Sequence, residues 1–242
     1  MKTVNNLPEI KAVAFDIDGT LYPNWRLYTR MVFYFLKNLR FFLRYNKVRK
    51  ILHRTAVLAD FFEYQGRLLA EELSVSREEA KSLIDEKVYK GLEPFFVNLK
   101  PFPHVKETFQ KFKDAGLKLG ILSDFPPEQK KDIWGTAPLC DVIMGSEETG
   151  ALKPSIYTFG SLISELDLPA ENILYVGNSI NSDIKGAKAA GKADAASRKI
   201  QIGQAYLGRI KGFFFTEHCA VQLGLRPVCH RGTPHRRGDG GG

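Results

Sequence analysis

The stretch "AVAFDIDGTLYP", residues 12–23, reads as a short buried strand that delivers two carboxylates, Asp16 and Asp18, to its tip. The apolar run over 11–17 is bounded by a turn signal, the pattern of a fully buried strand. A carboxylate can attack phosphorus as a nucleophile. A second acid held beside it can protonate a leaving oxygen and later deprotonate water. Gly19 allows a sharp exit, and the loop N–H groups around Thr20 can cradle an anion. A plain Asx turn after a strand carries the same letters without chemistry. The pair therefore gains meaning from what else the chain brings to the same place.

The chain has 242 residues, 44% of them hydrophobic. That suffices for one sizeable core, or for a core and a smaller second unit. Three cysteines without a CxxC pair do not suggest a disulfide framework, so a reducing, cytoplasmic setting is the expectation. The N-terminus lacks a signal-peptide apolar block. "MVFYFL", residues 31–36, is far shorter than the roughly 20 residues a bilayer span needs. The net charge of +8 is uneven. From 24 to 54 there are nine Lys/Arg and no Asp/Glu, and from 192 to the end nine against three. Those segments carry fifteen net positive charges, so the remainder is negative by seven. The basicity is local, which weighs against a nucleic-acid binder.

Residues 24–95 read as helical, in three helices: 24–45, 47–73 and 76–92. Ser76 and Glu79 have capping-box spacing. After "KPFP", residues 100–103, the character changes. Helix 104–116, strand 117–124, a short helix over 126–135 and strand 140–146 come first. Helix 154–166, strand 172–178 and helix 181–191 follow. Strands alternating with helices predict a parallel α/β sheet with right-handed crossovers. The expected organisation is a Rossmann-like core made of residues 1–22 and 97–216, interrupted by a helical insertion over 23–96. "GFFFT", residues 212–216, could add a strand. Residues 217–242 form an atypical basic tail that is expected to be disordered.

Open parallel sheets bind ligands beyond the carboxyl ends of their strands. Four strand ends here suit one chemistry. Asp16 and Asp18 are the first. Ser123 ends the second strand, where its hydroxyl can donate to a phosphoryl oxygen. Lys153 precedes Pro154, which suits the first position of a helix and would set the ammonium at an anion-favouring helix end. "YVGNSINSDIKGA" supplies Asn178 and Asp183, hard oxygen donors suited to Mg²⁺. Each alone has a bland reading, as a cap or a solvated side chain.

Together and in this order, the motifs resemble the haloacid dehalogenase-like hydrolases over residues 10–191. The resemblance implies a Rossmann-like core with a helical cap inserted after the first motif. It implies Asp16 as the nucleophile that forms an aspartyl-phosphate, and Asp18 as acid/base with its backbone carbonyl on Mg²⁺. Ser123 and Lys153 would bind the phosphoryl group together with Gly19, Thr20 and Asp124 of the flanking loops. Asp16, Asp18, Asn178 and Asp183 would form the magnesium site, with either Asn178 or Asp183 as the direct ligand from the last motif.

Three departures stand out. Asn178 replaces a usual Asp, which predicts weaker metal binding. Asp124 replaces a usual Asn, and a carboxylate beside phosphate repels unless it turns away or meets a cation. Residues 192–242 do not read as the strand and final helix that ordinarily complete this core.

Asp18 argues against a haloacid dehalogenase, which needs no acid/base there. Gly19-Thr20 and the short length argue against a transport ATPase. The expectation is a Mg²⁺-dependent phosphatase acting on a small phosphorylated metabolite, with phosphomutase as a minor alternative. A rival of another class is a non-catalytic protein of this fold that binds nucleic acid or membrane through its basic cap helix.

Overall fold

The computed structural model describes residues 10–193 and 201–203. All lie within one compact unit, Met1–Arg209. Five parallel strands form one sheet in the order β3-β2-β1-β4-β5. They are β1 (Ala12–Phe15), β2 (Lys118–Ser123), β3 (Val142–Gly145), β4 (Ile173–Val176) and β5 (Gln201–Gly203). β1 is central, with Ala14 paired to Gly120 on one side and to Tyr175 on the other. Every residue of β1 and β4 is buried, as expected for strands covered on both faces.

Successive side chains of β1 leave opposite faces of the sheet. Ala12 and Ala14 join Phe159, Leu162 and Leu166 of α7 (Ile156–Leu166) and Ala187 and Ala190 of α8 (Lys185–Ala193) in one core cluster. Phe15 faces the other way and stacks on Phe109 of α6 (Val105–Asp114), ring centroids 4.5 Å apart. Small residues in the central strand let α7 and α8 approach closely. Gly120 sits in the same layer, where an added Cβ would stand 3.2 Å from Ala14 and 3.3 Å from Leu162.

The chain runs outward from β1 through β2 to β3, then returns to add β4 and β5 on the far side. The reversal lies between β1 and β4, and the crevice of such a sheet opens at that switch point. Asp16 N–H donates to the Val176 carbonyl there, at 2.9 Å.

Residues 24–96 are helical, but the helices break where the sequence reading ran them on. α1 (Asn24–Lys37) and α2 (Leu39–Leu52) meet at Asn38, so the expected helix over 24–45 is two. The expected helix over 47–73 is interrupted after Leu52 and resumes as α3 (Phe61–Leu73) behind an Asp60 cap on the Glu63 N–H. Polar Asn and Asp compete for backbone donors, which favours ends over interiors. α4 (Arg77–Ile84) starts on the foreseen Ser76 cap, whose hydroxyl accepts from Glu79 N–H. It continues through a π-helical turn, Asp85–Tyr89, into α5 (Lys90–Phe96). The expected short helix over 126–135 shrinks to a 3₁₀ turn, Pro127–Lys130. β5 falls in a stretch where no strand was expected. Residues 212–216 and the tail over 217–242 lie outside the described residues. No described helix is long and apolar enough to cross a membrane.

Candidate active site

Lys153 is at the centre. Its ammonium is buried and donates to Asp16 Oδ1 and to Asp183 Oδ1, each at 2.7 Å. It also reaches the Leu122 carbonyl at 3.3 Å and the Tyr175 hydroxyl at 3.4 Å. Residues 137 and 30 positions away in sequence thus meet on one nitrogen. Burial lowers a lysine's proton affinity, but Asp16, Tyr175 and Asp183 outweigh it and hold Lys153 protonated.

The helix start expected at Pro154 lies further on. α7 begins at Ile156, and Ser155 caps it by accepting from Tyr157 N–H. Lys153 therefore sits in the loop before the helix, through a cis Lys153-Pro154 bond, and not on its first turn. Its main chain is tied down separately. Its N–H donates to Asp124 Oδ1 at 3.0 Å, and its carbonyl meets His53 Nδ1 at 2.7 Å.

Asp16 receives a second hydrogen bond from Thr20 Oγ1, at 2.8 Å on Oδ2. Burial pushes its carboxyl up to about 7, since the pull of Lys153 is offset by Asp183 and Asp18 nearby. Asp18 is only part-buried. Its Oδ1 accepts from Tyr22 Oη at 2.5 Å, and its Oδ2 accepts from Lys130 Nζ at 3.1 Å and Ser123 Oγ at 3.3 Å. Burial raises its carboxyl, but Lys130 and the bond from Tyr22 outweigh that and hold it below the usual carboxylate range.

Two glycines are demanded by this geometry. Gly19 has φ +89°, and a Cβ there would lie 2.0 Å from the Asn178 amide nitrogen. At Gly177 a Cβ would meet Asp183 Cβ and Cγ at 2.5 Å, so the Asp183 carboxylate lies directly over that glycine. The same carboxylate accepts from Ser179 N–H at 2.9 Å through Oδ2. Ser179 caps the turn that follows β4 by accepting from Ser182 N–H.

Asp124 resolves the repulsion raised by the sequence. Its Oδ1 accepts from Ser146 Oγ at 2.7 Å and from the Lys153 N–H, so the carboxylate acts as a strut between three loops. Its carbonyl accepts from Arg49 of α2 at 3.0 Å. Arg49 also pairs, fully buried, with Glu147. Tyr89 donates to the other oxygen of Glu147 at 2.8 Å, and the Arg49 guanidinium stacks on Phe125 at 4.6 Å. The helical insertion is thereby locked onto the loops that carry Ser123 and Lys153.

Asp16, Asp18, Ser123, Lys153 and Asp183 are thus brought together, with Gly19 and Thr20 in the adjoining turn. Asn178 is exposed at the edge of this group, its amide over Gly19. Sequence reasoning missed Lys130, Tyr22, Tyr175 and Arg49. Lys130 lies in "PPEQKK" with nothing local to mark it, and its contact with Asp18 spans 112 residues. Arg49 looks like one more cation in a basic helix. Among the described residues, no three His, Cys, Asp or Glu side chains gather into a metal cage. The donor set still suits a hard cation. Asp16 and Asp183 share the Lys153 ammonium, Asp18 meets that of Lys130, and Asn178 lies over Gly19. Carboxylate and amide oxygens are hard donors of the kind magnesium takes.

Known proteins resemble this chain over most of its length. A family profile described as haloacid dehalogenase-like hydrolase matches residues 10–191. A glyceraldehyde 3-phosphate phosphatase of Methanopyrus kandleri is 28% identical over 209 residues, covering 78% of this chain and 84% of that relative. Another from Methanocaldococcus jannaschii is 36% identical over 96 residues, 38% of this chain and only 42% of that protein. A phosphoglycolate phosphatase of Salmonella typhi is 28% identical over 210 residues, covering 78% and 81%. The HAD-hydrolase YfnB of Bacillus subtilis superposes with a TM-score of 0.57 at 18% identity, over 89% of this chain and 99% of that one, which shows a shared fold. With the profile spanning strands β1 to β4 and every residue of the site, this chain belongs to the haloacid dehalogenase-like hydrolases.

Proposed function

We propose that the protein hydrolyses a small phosphomonoester in two steps through Asp16. The observation that carries this reading is the position of Lys153, 2.7 Å from both Asp16 and Asp183 at the switch point of the sheet. One Asp16 oxygen attacks phosphorus, and the bond from phosphorus to the ester oxygen breaks. Asp18, ionised before substrate binds, takes up a proton as the negative phosphoryl group arrives and raises its proton affinity, and gives that proton to the leaving oxygen. The aspartyl-phosphate is then attacked by water, whose proton returns to Asp18, and free phosphate leaves with Asp16 regenerated. Thr20 orients Asp16, and Tyr22 and Lys130 orient Asp18. Ser123 and Lys153 donate to the phosphoryl oxygens, where positioned charge does most of the work.

Asp16, Asp183, the Asp18 carbonyl and the Asn178 amide oxygen would hold a magnesium ion. When bound, it neutralises charge on the phosphoryl oxygens as a Lewis acid. Splitting the reaction explains why two acids are needed one residue apart. One must remain a nucleophile while the other changes protonation state.

The names of the relatives make short phosphorylated aldehydes and acids the first substrates to try, ahead of nucleotides and larger sugar phosphates. The test is a phosphate-release panel with Mg²⁺, run beside Asp16→Asn. Turnover should fall by roughly 10⁴-fold or more in the variant, as when other covalent nucleophiles are removed, with an unchanged circular dichroism spectrum. Residual turnover near the wild-type rate would mean another nucleophile.

A further inference from the structure

Helix α1 buries one side, through Leu27 and Met31. A second apolar stripe faces water. Trp25, Tyr28, Val32 and Leu36 recur at helical spacing and are 63, 58, 43 and 60% exposed, with Phe33 beside them at 81%. Single exposed apolar residues are ordinary, but five large ones on one stripe mark a surface that meets something.

The flank of the stripe is basic. Arg26, Arg30 and Lys37 follow one edge of it at helical spacing. Arg26 donates to the Lys100 and Pro101 carbonyls and Arg30 to that of Val97, which holds both guanidinium groups in place without cancelling their charge. Among the described residues none of the three meets a carboxylate. The surrounding segment, 24–54, contains no acid at all.

We propose that this face of α1 docks the protein on an anionic lipid bilayer surface. Trp25 and Tyr28 are amphipathic rings suited to headgroup depth. Phe33, Val32 and Leu36 enter the acyl boundary, and the flanking cations meet acidic headgroups. A second copy of the chain fits worse, because a two-fold contact lays the patch on itself and sets cations against cations. Nucleic acid would answer the cations and the rings but offers no apolar partner to Val32 and Leu36.

The experiment is co-sedimentation of the full chain with vesicles of phosphatidylcholine alone and with added phosphatidylserine, at low and high salt. Binding should be at least about tenfold tighter to the anionic vesicles and should weaken with salt. Phe33→Asp should lower that affinity about tenfold or more, and Trp25→Ser should lower it less. Both should keep the wild-type melting temperature. No binding to anionic vesicles, equal binding to both vesicle types, or full binding by folded Phe33→Asp would each overturn the proposal. So would a dimer by analytical ultracentrifugation that Phe33→Asp dissociates, since the occupant would then be a second copy.

Discussion

Lys153 carries two tasks that a single substitution separates from the fold's ordinary needs. Its ammonium compensates two buried carboxylates, so Lys153→Met leaves Asp16 and Asp183 facing each other unpaired. Breaking a buried pair by removing one partner costs about 3–5 kcal/mol, and urea unfolding of the variant without added metal should show a loss of that size. Asn178 offers the opposite kind of test. It is exposed, so a new carboxylate at that position needs little desolvation. Asn178→Asp should tighten magnesium binding by ~1 kcal/mol, roughly fivefold, read as a lower half-saturating Mg²⁺ concentration in the phosphatase assay. At this scale the sequence was informative where the chemistry is local. Asp16, Asp18 and Thr20 share one turn, so their spacing alone brings them together. Lys130 and Tyr175 were invisible because their partners stand more than a strand away, and a lysine's role depends on what it faces.

Among the elements, α2 does more than its amphipathic pattern suggests. Arg49 reaches from it to Glu147 after β3 and to the Asp124 carbonyl after β2. Gln129 donates to the Val88 and Tyr89 carbonyls, each at 2.8 Å, and Leu58 N–H donates to the Gly150 carbonyl at 2.9 Å, so three more contacts tie insertion to sheet. A buried ion pair is weak in net terms yet costly to halve. Arg49→Met should destabilise by about 3–5 kcal/mol, while Arg49→Met with Glu147→Leu should recover most of that loss. A double variant no more stable than the single one would mean that Glu147 is satisfied by Tyr89 alone. The sequence made the insertion helical through hydrophobic spacing, and its breaks fall at Asn38 and between Leu52 and the Asp60 cap, where polar side chains bond the backbone. Asn38 and the segment 53–60 separate α1, α2 and α3, and hydrophobic periodicity alone does not record such breaks.

For the whole molecule, the decisive feature is the strand order. It places the ends of β1 and β4 side by side, with β2 next to β1, so four loops distant in sequence share one rim. A cation held there binds the folded state alone and should stabilise it by mass action. Millimolar Mg²⁺ is expected to raise the melting temperature, the rise shrinking in Asp183→Asn, and chelation should abolish phosphate release. A melting temperature indifferent to Mg²⁺ would contradict the assignment of these oxygens as its ligands. What the amino-acid order determined by itself was the alternation of strand and helix, the inserted helical block and the identity of the acids, serine and lysine at strand ends. Those are properties of neighbours in the chain, set by period and turn chemistry. Only the tertiary structure decided that Lys153 bridges Asp16 and Asp183, that Lys130 and Tyr22 govern Asp18, that Asp124 turns into a strut, and that a basic helix sends Arg49 inward. Apart from Tyr22, which lies four residues from Asp18, each depends on groups that meet across 22 to 137 residues of chain, where burial and Coulomb forces replace sequence spacing as the deciding terms.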